Sequence, residues 1–298
     1  MNITLAPAPL RPTMTALDGY IIVLCDLFDS IDTCRHDTLV STSPRSLHDL
    51  RIAIRRARSV VREAKRVLPS GIFDAMSQDL SWLSSITSEA RDLDTLIDHW
   101  PRYERMMEAR DVNHLQAVIR EIYHRRNSAY QDMQAKLNGQ RVVTLINEWQ
   151  IFMLDGTDIG KGGTDAQNTL KDVVKERIET AHRKLVTDCG RISTKSSDDQ
   201  IHALRKDAKR IRYLSEGFSE ILSSTKSEST LSHLVALQDN LGEFQDLRIH
   251  ESVIRDAISY IRPIHAPSTI EAAEELLLHM AKRRQKVRKK LIAEVLRA

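Results

Sequence analysis

Six cationic side chains, His48, Arg51, Arg55, Arg58, Arg62 and Lys65, recur at alternating steps of three and four residues. Leu47, Leu50, Ile54, Ala57, Val61, Ala64 and Leu68 keep the same steps one residue earlier, the spacing of an apolar seam on a packed helix. One residue is about 100° of helical rotation, so the cations border the seam instead of facing away from it. A row of one sign gains nothing from its own repulsion unless an anion or a set of carboxylates lies against it. Guanidinium groups suit phosphate because their planar fork holds two oxygens at once, and lysine adds point charge. The chemistry these residues offer is anion capture, not bond-making.

The pattern returns at an offset of 154 residues. His202, Arg205, Lys209 and Arg212 match His48, Arg51, Arg55 and Arg58; Arg210 matches Arg56, and Lys206 adds a further cation. Residues 80–93 and 234–247 align at the same offset without a gap, matching Leu83 with Leu237, Glu89 with Glu243 and Asp92 with Asp246. Two motifs held in one register indicate an internal duplication. The copies are not identical, since Arg248 stands where the first has Asp94, and Gln245 replaces Arg91. Asp92 and Asp246 are expected to hold arginines of a neighbouring helix, because a carboxylate against phosphate is repelled. A magnesium site at Asp92 and Asp94 is not reproduced in the second copy.

The elements that must position these residues read as helices throughout. Aromatic residues are 5% and no stretch alternates with period two, so no sheet is expected. After a flexible tail at 1–13, helical spacing runs from 14 to 37. Ser43-Pro44 starts the basic helix, which stops near 69–71. Residues 72–100 form a helix or a broken pair ending at Trp100-Pro101, and 102–137 one long helix carrying Arg125 and Arg126. A helix over 141–154 precedes a Gly-rich linker at 155–165. The second half repeats the order over 166–298, with a polar loop at 223–229 and a last helix from 270 that carries Arg283 and Arg284 in the basic run 282–290.

With 44 basic and 41 acidic residues the net charge is only +3, so positive charge is concentrated locally and points to a defined anionic partner. Three cysteines without CxxC spacing fit a reducing compartment. The N-terminus has no charged start followed by an apolar run, and the apolar segment 20–28 is short and interrupted by Asp26. A soluble cytoplasmic protein with no membrane partner is expected. GTDIGKGGT at 156–164 fails the spacing of a phosphate-binding loop, and no nucleophile–base or paired-carboxylate signature is present. The chain is therefore expected not to be an enzyme and to have no catalytic residues and no cofactor. The histidines show no HxxxH or HExxH pattern, so no metal site is expected. His48 and His202 are either neutral groups bonded inside a bundle or phosphate donors whose protonation the neighbouring arginines oppose until a polyanion arrives.

H-x-L-R-x-x-x-R-R-x-R at 48–58, H-x-L-R-K-x-x-K-R-x-R-Y at 202–213, A-R-D-L-D at 90–94 and L-Q-D-x-L-G-E-x-Q-D-L at 237–247 resemble the conserved-histidine α-helical domain, the CHAD family. The resemblance implies an all-α fold of two tandem pseudo-symmetric four-helix bundles around a central basic cleft that binds long-chain inorganic polyphosphate, with association with polyphosphate granules as an extension. Carried to matching positions, the ligand-facing residues would be His48, Arg51, Arg55, Arg58, His202, Arg205, Lys209 and Arg212, with Arg125, Arg126, Arg283 and Arg284 aligning more loosely. Nothing like the triphosphatase-type E-x-E-x-K start of many relatives is present, which resembles a stand-alone form. A nucleic acid is the weaker alternative partner, because few aromatics lie among the cations to stack bases. An enzyme acting on polyphosphate, or a metal-binding protein, is the third reading.

Overall fold

Thr15 and Thr169, 154 residues apart, open the two halves of the chain in the same way. In the computed structural model, which describes residues 9–155, 162–222 and 227–295, each threonine hydroxyl donates to the carboxylate three residues on. Those carboxylates are Asp18 and Asp172, both at 2.6 Å, and each hydroxyl also accepts from the same residue's backbone N–H. The two threonines form an isolated antiparallel bridge. Ala16 N–H donates to the Asn168 carbonyl (2.8 Å), and Leu170 N–H donates to the Met14 carbonyl (2.9 Å). Equivalent residues thus exchange equivalent bonds, the reciprocity that a two-fold relation requires.

The order of elements is α1 (Ala16–Val40), α2 (Pro44–Glu63), a 3₁₀ turn (Ala64–Arg66), α3 (Ser70–Ile86), α4 (Ser88–Glu104), α5 (Ala109–Val112), a second 3₁₀ turn (Asn113–Leu115), α6 (Gln116–Leu137), α7 (Gln140–Asp155), α8 (Leu170–Gly190), α9 (Asp198–Gly217), α10 (Ser227–Ile261) and α11 (Pro267–Val295). The fold is all-α. α2 starts at the Ser43 cap, whose hydroxyl accepts from Arg45 N–H at 3.2 Å, with Pro44 in the first turn. Its seam is buried at every expected position from Leu47 to Leu68. The α-helix gives way after Glu63, so Lys65 stands on the 3₁₀ turn.

Two expected boundaries move. Pro101 lies inside α4, where buried Trp100 and Tyr103 hold the last turn against its local preference. The segment expected as one helix over 102–137 is accordingly broken by α5 and the second 3₁₀ turn. α3 and α4 separate at Thr87, whose hydroxyl bonds back to the Leu83 carbonyl at 2.9 Å, whereas α10 runs unbroken through the matching Leu241.

The chain packs as two compact units, each discontinuous in sequence. Unit 1 is Met1–Thr87, Gln134–Val186 and Asp207–Leu231; unit 2 is Ser88–Met133, Thr187–Lys206 and Ser232–Ala298. Compactness therefore follows other boundaries than the sequence halves 14–154 and 166–298. In unit 1, Leu17, Tyr20, Leu24, Phe28 and Ile31 of α1 are buried, with Tyr20 against Phe218 (4.8 Å between centroids) and Phe28 stacked on Trp149 (3.9 Å). Of the stretch expected as a linker, 156–161 lies outside the described residues, but its end is a clasp. Gly163 N–H donates to the Val67 carbonyl (2.9 Å) and Asp165 N–H to the Arg66 carbonyl (2.7 Å). A Cβ on Gly163 would stand 2.4 Å from the Arg66 oxygen, so only glycine admits this approach. Of the other segments expected to be irregular, 1–8 and 223–226 lie outside the described residues.

Candidate functional site

α2 presents its cations as the periodicity demands: His48, Arg51 and Arg55 are half-buried beside the seam, and Arg58, Arg62 and Lys65 are exposed. Three members of the row are anchored from below. Arg51 Nη1 donates to the Ser84 carbonyl (3.1 Å) and Thr87 Oγ1 (2.9 Å), Arg58 Nη1 donates to Ser84 Oγ (3.0 Å), and Arg55 Nε donates to the Arg51 carbonyl (3.1 Å). These contacts set Arg51 and Arg58 at the C-terminal end of α3, where the helix dipole favours positive charge. Crowding follows. Burial and then the neighbouring Arg62 pull the Arg58 guanidinium below its ordinary range.

The second half of α9, with Lys209 and Arg212, belongs to the same unit. α2 and α9 are tied there by reciprocal ion pairs: Arg210 of α9 grips buried Glu63 of α2 (Nη2–Oε2 2.8 Å), and Arg56 of α2 meets Glu216 of α9 at 3.4 Å. Arg56 and Arg210 are equivalent by the 154-residue offset, but their carboxylates are not, since Glu63 matches Gly217 and Glu216 matches Arg62. Glu63 keeps Arg210 firmly protonated. Arg212 also donates to Glu216, at 2.7 Å, which commits part of its charge within α9.

Unit 2 holds the rest of α9. His202 and Arg205 are half-buried and Lys206 is exposed. They face α10 in antiparallel order: Arg248 meets Asp199 at 3.2 Å, Gln245 acts on His202, and Arg205 Nη2 lies 3.7 Å from where a Gly242 Cβ would stand. The His202 imidazole is held below its ordinary value, first by burial and then by Lys206, Arg205 and Arg248, with Gln245 acting the other way. Arg248 was not singled out among the expected site residues; it stands where the first copy has Asp94.

The arginines expected from the later helices are braces. Arg125 donates to Glu121 (2.7 Å) and the Asp256 carbonyl (3.0 Å). Arg126 donates to buried Asp94 at 2.6 Å, and the Tyr130 hydroxyl takes that residue's other oxygen at 2.6 Å. Arg283 (2.8 Å) and Arg102 (2.6 Å) share Glu243; burial alone would raise this carboxyl, but the two arginines hold it below the usual range. Arg284 joins Glu251 (2.9 Å) to Asp198 (3.0 Å). Among the described residues these arginines are braced by Glu121, Asp94, Glu243, Glu251 and Asp198, a set that differs from the expected Asp92 and Asp246. The basic run of α11 divides by residue type, with Arg283, Arg284 and Arg288 paired inward and Lys282, Lys286 and Lys289 exposed. Both oxygens of Asp94 are engaged, and among the described residues no three His, Cys, Asp or Glu side chains converge to hold a metal.

One histidine that spacing does not single out is bonded through both ring nitrogens. His250 is fully buried, 3.1 Å from Thr95 Oγ1 through Nε2 and 2.6 Å from the Tyr103 hydroxyl through Nδ1. The Thr95 hydroxyl donates to the Asp92 carbonyl (2.9 Å), so it accepts from Nε2–H, and Nδ1 accepts from Tyr103. Burial and then His99, whose ring lies 5.5 Å away, push His250 down to about 3. An unfolded histidine takes up its proton near 6.5 and this one does not, so the contribution is complete above that pH and lost as pH falls toward 3. Stability should drop by up to about 1.4 kcal/mol per pH unit below pH ~6.5 from this group. Urea titrations of wild type and His250→Gln between pH 6.5 and about 4.5 check it; equal slopes in the two proteins would contradict it.

A family profile for the CHAD domain matches residues 24–255, and the chain belongs to that family. The crystal structure of the CHAD domain from the plant Ricinus communis is similar with a TM-score of 0.75 and 22% identity, covering 97% of this chain and 94% of that one. PptA from Streptomyces chartreusis is similar with a TM-score of 0.72 and 15% identity, over 97% of this chain and 100% of that chain. An uncharacterized protein of Mycobacterium tuberculosis, matched in two strains, is 22% identical over 220 residues, which are 72% of this chain and 41% of that protein. The chain thus spans less than half the length of these curated relatives. Among the described residues no helix is long and apolar enough to cross a membrane.

Proposed function

We propose that the chain binds long-chain inorganic polyphosphate along its cationic helices without altering it chemically. The family to which it belongs is associated with polyphosphate binding. The observation that carries the reading is a sorting of charge within unit 1. Glu63 and Glu216 take Arg210, Arg56 and Arg212, whereas among the described residues none of Arg58, Arg62 and Lys65 pairs with a carboxylate. Charges left in a crowded row of one sign cost self-repulsion, which a bound polyanion relieves. Polyphosphate has no base to stack and no sequence to read, so a cationic row that displaces its counterions is sufficient. Binding of this kind would carry the protein to polyphosphate granules in the cytoplasm.

A nucleic acid would use the same charges, but neither row interleaves aromatic platforms with its exposed cations. Competition separates the two. Labelled long-chain polyphosphate titrated at about 0.15 M salt against unlabelled RNA, duplex DNA and triphosphate is expected to be displaced only by unlabelled polyphosphate at comparable phosphate concentration. Displacement by RNA at lower concentration would favour the nucleic-acid reading, and shortening of the polyphosphate during the assay would favour an enzyme.

A further inference from the structure

Asp198 and Asp199 open α9 side by side and have different fates. Asp198 is taken by Arg284 and Arg288 of α11 at 3.0 and 3.3 Å. Asp199 is 85% exposed, and among the described residues its carboxylate pairs with Arg248 alone, at 3.2 Å. An ion pair so exposed is worth little, because water screens it and two mobile side chains must be held for it. Phosphate bound by the two-pronged guanidinium face is the stronger partner.

The neighbours show why a cation stands there. Asp199 with Arg248, His202 with Gln245 and Arg205 with Gly242 are successive steps along the antiparallel α9 and α10, so Arg248 continues the row of His202 and Arg205 by one turn. The first copy has Arg45 and Asp94 at the positions of Asp199 and Arg248. The cation of that step has passed from the basic helix to the helix it faces, and the carboxylate has passed the other way. Asp94, in contrast to Arg248, is buried under Arg126 and Tyr130. A charge exchange of this kind keeps a cation at the head of the second row after α9 has lost its own.

We propose that Arg248 is a phosphate-contacting residue, forming with His202, Arg205 and Lys206 an anion seat in unit 2 whose guanidinium Asp199 holds until a polyphosphate oxygen displaces it. The inference rests on the polyphosphate reading and adds to it a ligand outside the duplicated basic motif, together with a carboxylate that competes with the ligand. Arg248 and Asp199 therefore act with opposite sign on binding. If their pair served only to hold α9 against α10, removing either would act alike.

Equilibrium titration of the full chain with long-chain inorganic polyphosphate at about 0.15 M salt, repeated across salt concentrations, tests it. Arg248→Gln is expected to weaken binding about tenfold and to lower the slope of log affinity against log salt by about one. Asp199→Asn is expected to tighten binding by roughly two- to fivefold, and Arg248→Lys to restore part of the loss. Wild-type binding with Arg248→Gln unchanged overturns this inference and leaves the polyphosphate reading standing. Asp199→Asn weakening binding as Arg248→Gln does overturns it in favour of a packing role. Failure of wild type to bind overturns the polyphosphate reading itself, and this inference with it.

Discussion

Replacing Arg58, Arg62 and Lys65 together by glutamate is expected to lower affinity for long-chain polyphosphate by roughly 1,000-fold or more at about 0.15 M salt, with helicity and unfolding midpoint nearly unchanged. Three attractive contacts become three repulsive ones on a strand that cannot pair elsewhere with the same row. The folded state loses little, since all three side chains are exposed and none closes an ion pair with a carboxylate among the described residues. Among the described residues, Arg58 gives up its bond to Ser84 Oγ. A control with the same change in net charge is available on α11, where Lys282, Lys286 and Lys289 are also exposed. Their replacement by glutamate should weaken binding less than about tenfold, through the general field of the protein alone. Equal losses from the two triple variants would show that net charge, not the α2 row, governs capture.

The second large effect concerns stability. Asp94→Ala is expected to cost about 3–5 kcal/mol, because it leaves the Arg126 guanidinium without its carboxylate and the Tyr130 hydroxyl without its acceptor in a buried setting. Asp94→Ala/Arg126→Met should recover part of the loss by removing the stranded charge. Urea unfolding of the single and double variants measures this, and a cost under about 1 kcal/mol for Asp94→Ala would contradict the assignment. The folded fraction of either variant should bind polyphosphate as wild type does, since Asp94 and Arg126 brace unit 2 and are not assigned to the ligand.

The α2 seam and its bordering cations were legible because helical periodicity is a local property, and each seam residue from Leu47 to Leu68 is buried as its spacing requires. The duplication was legible for a similar reason: two motifs share one offset. The fate of individual arginines was not. Arg58 and Arg126 look alike in sequence, yet one lies beside Arg62 and the other on Asp94, a partner from α4. Arg102 and Arg283 converge on Glu243 from α4 and α11, a meeting that no spacing within one helix reveals. Pro101 was misleading because burial of Trp100 and Tyr103 outweighs a local helix-ending preference. The glycines at 162 and 163 resemble a linker in composition, and only the approach of Gly163 to the Arg66 carbonyl identifies a clasp. Arg248 is marked in the sequence itself, since a carboxylate replaced by a cation between two copies of one motif is a statement about charge.

The salt dependence of polyphosphate binding tests the central claim most directly. Titration of the purified chain with long-chain polyphosphate from about 50 to 200 mM salt should give saturable binding whose log affinity falls linearly with log salt, with a slope set by several neutralised phosphates. The polymer should be recovered at its original length. No saturable binding at the lowest salt, or an affinity indifferent to salt, would contradict the account.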